Sequence, residues 1–151
     1  MRSDIPDYVC PTCGFELWHP IGTLSVSYLG FYSDSRFPGR CLLVLRDHYE
    51  SWESLPPDLL HEFVDDSQKA IRTIENVTGS RRVNIAVLGN AEPHVHFHLI
   101  PRYPRIEPLP NKAPWEDPRP RSQLASEENE RLVSKLRIAL HKDPDERGGS
   151  G

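Results

Sequence analysis

His94-Val95-His96-Phe97-His98-Leu99-Ile100-Pro101-Arg102-Tyr103 alternates imidazole and apolar side chains at strict spacing two over its first half. In an extended strand, alternate side chains share a face. His94, His96 and His98 then point one way, and Val95, Phe97 and Leu99 point the other, toward the core. Successive imidazoles would be attached about 7 Å apart, twice the rise per residue. Two chemistries suit such a row. H-x-H on a strand is a good pair of zinc ligands. A neutral imidazole is also a competent nucleophile near pH 7. Its attack on phosphorus would split one difficult displacement into two easier ones.

The elements on either side follow from pattern. Thr23 to Tyr32 is rich in β-branched and aromatic residues, and Cys41 to Arg46 is almost continuously apolar. Ser33 to Gly39 between them has turn chemistry, so the two strands should pair. A helix should open at Pro56-Pro57-Asp58, bury Leu60, Phe63, Val64, Ile71, Ile74 and Val77, and stop at Gly79. Arg81 to Leu88 reads as a third strand and His94 to Tyr103 as a fourth. A last helix should begin at Ser126 and bury Leu132, Val133, Leu136 and Ala139. Strands and two helices in this order predict an α+β fold with an antiparallel sheet.

Composition narrows the function classes. The 151 residues fit one domain, and the net charge of -4 argues against a nucleic-acid partner. No apolar run approaches ~18 residues and no signal peptide is legible, so a soluble cytoplasmic protein without a membrane partner is expected. Eight of the 15 prolines fall between Pro93 and Pro120, which makes that stretch extended loop. The expected organisation is a core over residues 1–103, a Pro-rich arm over 104–125, a helix over 126–142 and a disordered tail over 143–151. Of three cysteines, Cys41 sits in an apolar run as a core residue, while Cys10 and Cys13 form C-x-x-C. An odd count points the pair to metal or redox chemistry rather than to a disulfide scaffold. The redox option normally needs a preceding strand, and too few residues precede Cys10 to form one.

Asn84 to Asn90, running into Pro93-His94-Val95-His96-Phe97-His98-Leu99-Ile100-Pro101-Arg102-Tyr103, resembles the H-φ-H-φ-H-φ-φ signature of the histidine-triad (HIT) superfamily. The Ile-Pro-Arg-Tyr continuation resembles the bacterial, diadenosine-polyphosphate-hydrolase-like branch. Upstream, Phe37 to Val44 with His48 is similar to that family's P-G-H-x-L-V-x-P-x-x-H strand, and the match covers about residues 8 to 103. The resemblance implies that His96 attacks the α-phosphorus of a nucleotide and that His98 contacts a phosphate or leaving-group oxygen. It puts Asn84 or Asn90 near the phosphate and Asp34 near the ribose hydroxyls. Two departures stand out. Gly89-Asn90-Ala91-Glu92 replaces a usual Gly-Gln-Ser or Gly-Gln-Thr, removing a hydroxyl, and Arg40 stands where histidine is common.

Some HIT proteins and the related galactose-1-phosphate uridylyltransferases hold zinc with a C-x-x-C, a histidine after the P-G strand and the first triad histidine. Here those positions are Cys10, Cys13, His48 and His94, with His19 the competitor for His48. The zinc would be structural, with an N-terminal knuckle locked to the triad strand. The resemblance also implies a homodimer and a nucleotide substrate, such as a dinucleoside polyphosphate or an adenylylated compound, cleaved at a phosphoanhydride or phosphoramidate bond. Hydrolysis and transfer to another acceptor share the same covalent intermediate. The alternative class is a zinc-stabilised nucleotide-binding or protein-interaction module without turnover. Arg40, Arg102, Arg105, Lys112, Arg119 and Arg121 offer positive charge near the site, and Trp115 offers a ring that could stack on a base or simply pack on the core.

Overall fold

The computed structural model describes residues 8–142, so the tail expected over 143–151 lies outside the described residues. Five antiparallel strands form one sheet: β1 (Pro20–Thr23), β2 (Ser27–Phe31), β3 (Cys41–Leu45), β4 (Val83–Ala86) and β5 (His96–Pro101). Their order across the sheet is β1-β2-β3-β5-β4. Two helices, α1 (Pro57–Thr78) and α2 (Ser126–Leu140), complete the α+β architecture. Gly79 ends α1 in the left-handed region (φ 73°), where a residue without Cβ is unstrained. No helix among the described residues is long and apolar enough to cross a membrane.

Period-two alternation divides the sheet into two faces. Leu29 and Phe31 of β2, Cys41, Leu43 and Leu45 of β3, and Phe97 and Leu99 of β5 are buried in the main core. Phe63, Ala70 and Ile74 of α1 and Leu132, Leu136 and Leu140 of α2 cover that face. Leu140 rather than Ala139 carries the last turn of α2. Val64 is 38 % exposed, against expectation. The inner stripe of α1 turns instead through Asp66, Ser67, Ala70 and Thr73.

Asp66 explains the other departure in this half. Thr23 to Tyr32 is not one strand but a hairpin, turning at Leu24–Val26. The buried Asp66 carboxylate accepts from the backbone N–H of Ser25 (3.1 Å) and Val26 (2.9 Å) and from the Ser27 hydroxyl (2.6 Å). A buried carboxylate must have such partners, and here they define a turn with no glycine or proline of its own.

The opposite face of the sheet carries Tyr28, Leu42, Val44, His96 and His98. The registered row Gly30–Leu42–His98–Ala86 runs across β2, β3, β5 and β4. A knuckle formed by residues 8–17 packs here, burying Tyr8, Cys10, Phe15 and Leu17 against Val44. It closes on itself through Gly14 N–H to Cys10 O and Cys10 N–H to Phe15 O, both 2.8 Å. Gly30 permits the approach, since a Cβ there would lie 2.7 Å from Leu17 Cδ2.

The arm is held down along its length. Arg102 is buried and donates to Glu107 (2.9 Å) and to the Asn84 amide oxygen (2.7 Å). Arg119 pairs with Asp117 at 2.8 Å, and Ser122 is bonded through both backbone and hydroxyl to Ser35.

Candidate active site and metal centre

The structure brings Cys10, Cys13, His48 and His94 together, with their ligand atoms all within 4.8 Å of one another. His48 Nδ1 and His94 Nδ1 are 3.3 Å apart, Cys13 Sγ is 3.4 Å from His94 Nδ1, and Cys10 Sγ is 3.7 Å from His48 Nδ1. Around a tetrahedral zinc, bonds of about 2.05 Å to nitrogen and 2.3 Å to sulfur put neighbouring ligands roughly 3.3–3.8 Å apart, from the N–N to the S–S pair. The cluster fits a zinc site. Its outer partners also suit a metal: His94 Nε2–H donates to Leu45 O at 2.7 Å, and His48 Nε2 lies 3.6 Å from Glu50. Each contact spends the distal nitrogen and turns Nδ1 inward. Burial opposes thiolate formation at Cys10, but the N–H groups of Cys13 and Thr12, with the Cys13 and His48 side chains, lower its pKa to about 6. Burial and the adjacent Cys10 raise that of Cys13. His19 stands apart from this cluster, its ring edge-on to Phe31 at 6.2 Å.

His94 itself precedes β5 rather than opening it, because Val95 N–H bonds to Tyr49 O instead of to a sheet neighbour. All three imidazoles stay on the knuckle side. Phe15 lies 5.5 Å from the His94 ring and 5.0 Å from the His96 ring, and His96 and His98 are 5.1 Å apart, centroid to centroid.

His96 is buried and lines an open cleft of about 1120 Å³. Its Nδ1 is 2.6 Å from the His94 carbonyl, which only accepts, so Nδ1 carries the proton and Nε2 keeps its lone pair. Burial lowers the His96 pKa below the ordinary value, with the His94 hydrogen bond opposing. The ring is therefore neutral at neutral pH. His98 lines the same cleft, and burial first, then Arg40 and His96, lower its pKa to about 4.

The other expected site residues divide by position. Asn90 is exposed and lines the cleft. Asn84 lies on β4 with its amide oxygen taken by Arg102. Asp34 is fully buried, and both its oxygens are spent on Arg36 (2.9 and 3.0 Å) and Arg40 (2.8 Å). With the Arg36 backbone N–H (3.0 Å) as a further donor, all of its acceptor positions are taken within the protein, and this short acid flanked by two arginines folds inward as their counter-ion rather than facing the cleft. Arg40 also faces inward rather than into the cleft. Its guanidinium lies 4.1 Å from the Tyr32 ring centroid and 3.1 Å from His98 Nδ1, while its buried Nε has no partner among the described residues. Of the cationic side chains expected near the site, Arg121 alone lines the cleft among the described residues, and it donates to the Tyr32 hydroxyl at 3.0 Å. Glu16 and Glu92 line it as well.

Trp115 is 66 % exposed and outside the cleft, whereas Trp18, 78 % exposed, forms part of its wall. Trp18, Phe15, Tyr32 and Gln123 are cleft residues that sequence reasoning missed. A tryptophan five residues beyond a C-x-x-C carries no local signal, because only the fold of the knuckle turns it toward the histidines.

A family model described as the HIT domain matches residues 23–105. An uncharacterized HIT-like protein of Methanocaldococcus jannaschii is 36 % identical over 73 residues, covering 45 % of this chain and 56 % of that relative. The match thus spans little more than half the relative's length. A histidine triad protein from Sinorhizobium meliloti has a similar structure, with TM-score 0.71 and 22 % identity over 80 % of this chain and 88 % of that one. A Zn-bound histidine triad family protein from Mycobacterium smegmatis gives 0.58 and 19 % over 80 % and 82 %. Plasmodium falciparum diadenosine triphosphate hydrolase gives 0.53 and 18 % over 89 % and 82 %. With its triad strand set in a five-stranded antiparallel sheet and a matching domain over more than half its length, the chain belongs to the HIT family.

Proposed function

We propose that this protein is a nucleotide hydrolase or nucleotidyl transferase working at the α-phosphorus through a covalent nucleotidyl-His96 intermediate. One observation carries the reading: His96 donates a hydrogen bond from Nδ1–H to a backbone carbonyl and lines an open cleft beside His98. An imidazole so fixed needs no base to activate it. In the first step Nε2 forms a P–N bond, the bond from phosphorus to the leaving oxygen breaks, and that oxygen keeps the electron pair. In the second, water or another acceptor hydroxyl forms a P–O bond, the P–N bond breaks, neutral His96 returns and one proton is released. Dinucleoside polyphosphates and adenylylated compounds are the proposed substrates, in line with the hydrolase among the structural neighbours. Trp18 is offered as a stacking surface for a base, and Asn90 for a phosphate oxygen.

Zinc, bound by Cys10, Cys13, His48 and His94, would be structural, since four protein ligands leave no open position for water. A homodimer is proposed through β4, an edge strand that continues into exposed apolar residues: Ile85 (48 %), Val87 (46 %) and Leu88 (59 %). Ala91, in place of a hydroxyl ahead of the triad, favours a second reading, a nucleotide-binding module without turnover. Intact-mass measurement after mixing with diadenosine polyphosphate and quenching without acid separates the two. A gain of one adenylyl group that is lost in His96→Ala supports the enzyme, and an unchanged mass with measurable binding supports the module.

A further inference from the structure

The corner behind His98 is built unlike a phosphate-binding surface. Arginine can only donate hydrogen bonds, so a guanidinium nitrogen 3.1 Å from His98 Nδ1 requires Nδ1 to be the acceptor. The ring proton then sits on Nε2. Arg40 is held in that pose by Asp34 (2.8 Å) and by the Tyr32 ring face (4.1 Å), and Asp34 is fixed in turn by Arg36. Two guanidiniums share one buried carboxylate, so the corner carries a surplus positive charge.

Taking the reading of His96 as nucleophile, we infer that Arg40 is a positioning residue that fixes His98 as the neutral Nε2–H tautomer. His98 then hydrogen-bonds the departing atom without protonating it, and the site is specific for leaving groups that depart as stable anions. Phosphoanhydrides and acyl or aryl phosphoesters belong to that class. Phosphoramidates do not, because their nitrogen leaves only after gaining a proton. The bond from phosphorus to oxygen breaks with its electron pair on oxygen, and the surplus charge of the corner stabilises that oxygen.

The groups facing His98 agree. Arg40 lies on one side and His96 on its own strand, while the Tyr32 ring is edge-on at 6.2 Å with its hydroxyl held by Arg121. Across β4 the registered neighbour is Ala86, which is uncharged. Among the described residues Asp34 is spent on Arg36 and Arg40, and the two cleft acids, Glu16 and Glu92, are not among the groups that act on the His98 ring, which are Arg40 and His96. Among the described residues no carboxylate acts on His98 to favour its imidazolium form, in keeping with a pKa of about 4.

The test uses the folded full chain. Nitrogen-15 imidazole spectra of the wild-type protein should show His98 protonated on Nε2 alone, with no titration between pH 5 and 8. In Arg40→Met the ring should titrate toward the ordinary value of about 6.5, and Arg40→Lys should restore much of the wild-type behaviour. In parallel, an AMP aryl ester and AMP morpholidate are compared as probes. The wild type should cleave the ester at least ~100-fold faster, and Arg40→Met should narrow that ratio about tenfold or more at acid pH. A wild-type His98 protonated on Nδ1, one that titrates near 6.5, or equal rates on the two probes would overturn the inference. Absence of turnover on both probes would overturn its leaving-group half together with the proposed hydrolase reading, while the spectra still decide the tautomer.

Discussion

The triad strand has two ends of opposite character. At His94, four side chains from three separated segments converge on one point, and the distal nitrogens of both imidazoles have partners of their own. At His96 and His98 the rings stand at the wall of an open cleft, and their Nε2 atoms have no hydrogen-bond partner among the described residues. Two residues along the chain separate a cluster closed on four side chains from a pair of rings open to the cleft. The lesson is that an imidazole's role is set less by its own type than by which nitrogen its neighbours occupy. In His94 the partner takes Nε2 and leaves Nδ1 facing the Cys–His cluster; in His96 it takes Nδ1 and leaves Nε2 free for the proposed attack on phosphorus.

Exchanging the two roles by mutation is the strongest way to break that comparison. His96→Ala should cut turnover on the order of 10⁵-fold or more while metal content and melting midpoint stay as in the wild type, the scale seen when a nucleophile is removed. Metal loss from that variant, measured by elemental analysis, would show that the two ends are not separable. The complementary change, Cys10→Ser with Cys13→Ser, should abolish bound zinc. It should cost about 4 kcal/mol or more, roughly 8–16 °C in the midpoint of a chain this size. Full zinc occupancy in that double variant would sink the assignment of the knuckle.

Asp34 sharpens the boundary of the open end. Asp34→Ala leaves the partly buried Arg36 and Arg40 without their shared counter-ion and should destabilise by about 3 kcal/mol, the low end for breaking a buried pair. Its effect on the ratio of kcat/KM for ribo and 2′-deoxyribo substrates should be nil, whereas a ribose-binding acid would shift that ratio. A subtler contrast concerns the two exposed tryptophans. Trp18→Ala should raise KM roughly 5- to 100-fold, the range for loss of one base-stacking surface, and Trp115→Ala should leave KM unchanged. The reverse outcome would move the base to the arm.

The smallest expected effect is on acid stability. The folded-state pKa of His98 is lowered to about 4, below its unfolded value of about 6.5. Between those values the unfolded chain takes up a proton that the folded chain refuses, so stability falls as pH drops from 6.5 to 4 and this contribution then levels off. Urea titrations at pH 7 and 4.5 should show a smaller difference in His98→Gln than in the wild type. An equal difference in both would place the acid sensitivity elsewhere.

Much of the fold was readable because its signals are periodic or capped. The alternation through His94–Leu99, the Pro57 start and Gly79 stop of α1, and the apolar run at Cys41 each specify an element locally. The four metal-type ligands were readable through family resemblance, and the structure brings them together. What escaped is tertiary. The turn between β1 and β2 is supplied by Asp66, about 40 residues away, so the local sequence reads as one strand. Asp34 carries a carboxylate that suits a ribose equally well, and only the inward fold of Arg36 and Arg40 assigns it. Trp18 and Trp115 are indistinguishable until the knuckle folds over the sheet.

The borrowed turn has a consequence for the order in which the molecule assembles. Most hairpins are local events that close early, because their own turn residues bias the chain. The β1–β2 hairpin has no glycine or proline to bias its turn; it closes locally through Leu24 N–H to Ser27 O (2.8 Å), but the Ser25 and Val26 N–H groups wait for a carboxylate on a helix about 40 residues further along the chain. A contact that is short in space has thereby become long in chain separation. The edge strand β1 should be a latecomer to the folding nucleus, with φ-values near zero, and the Val26 amide should exchange with solvent in openings that undock α1 without unfolding β3 and β5.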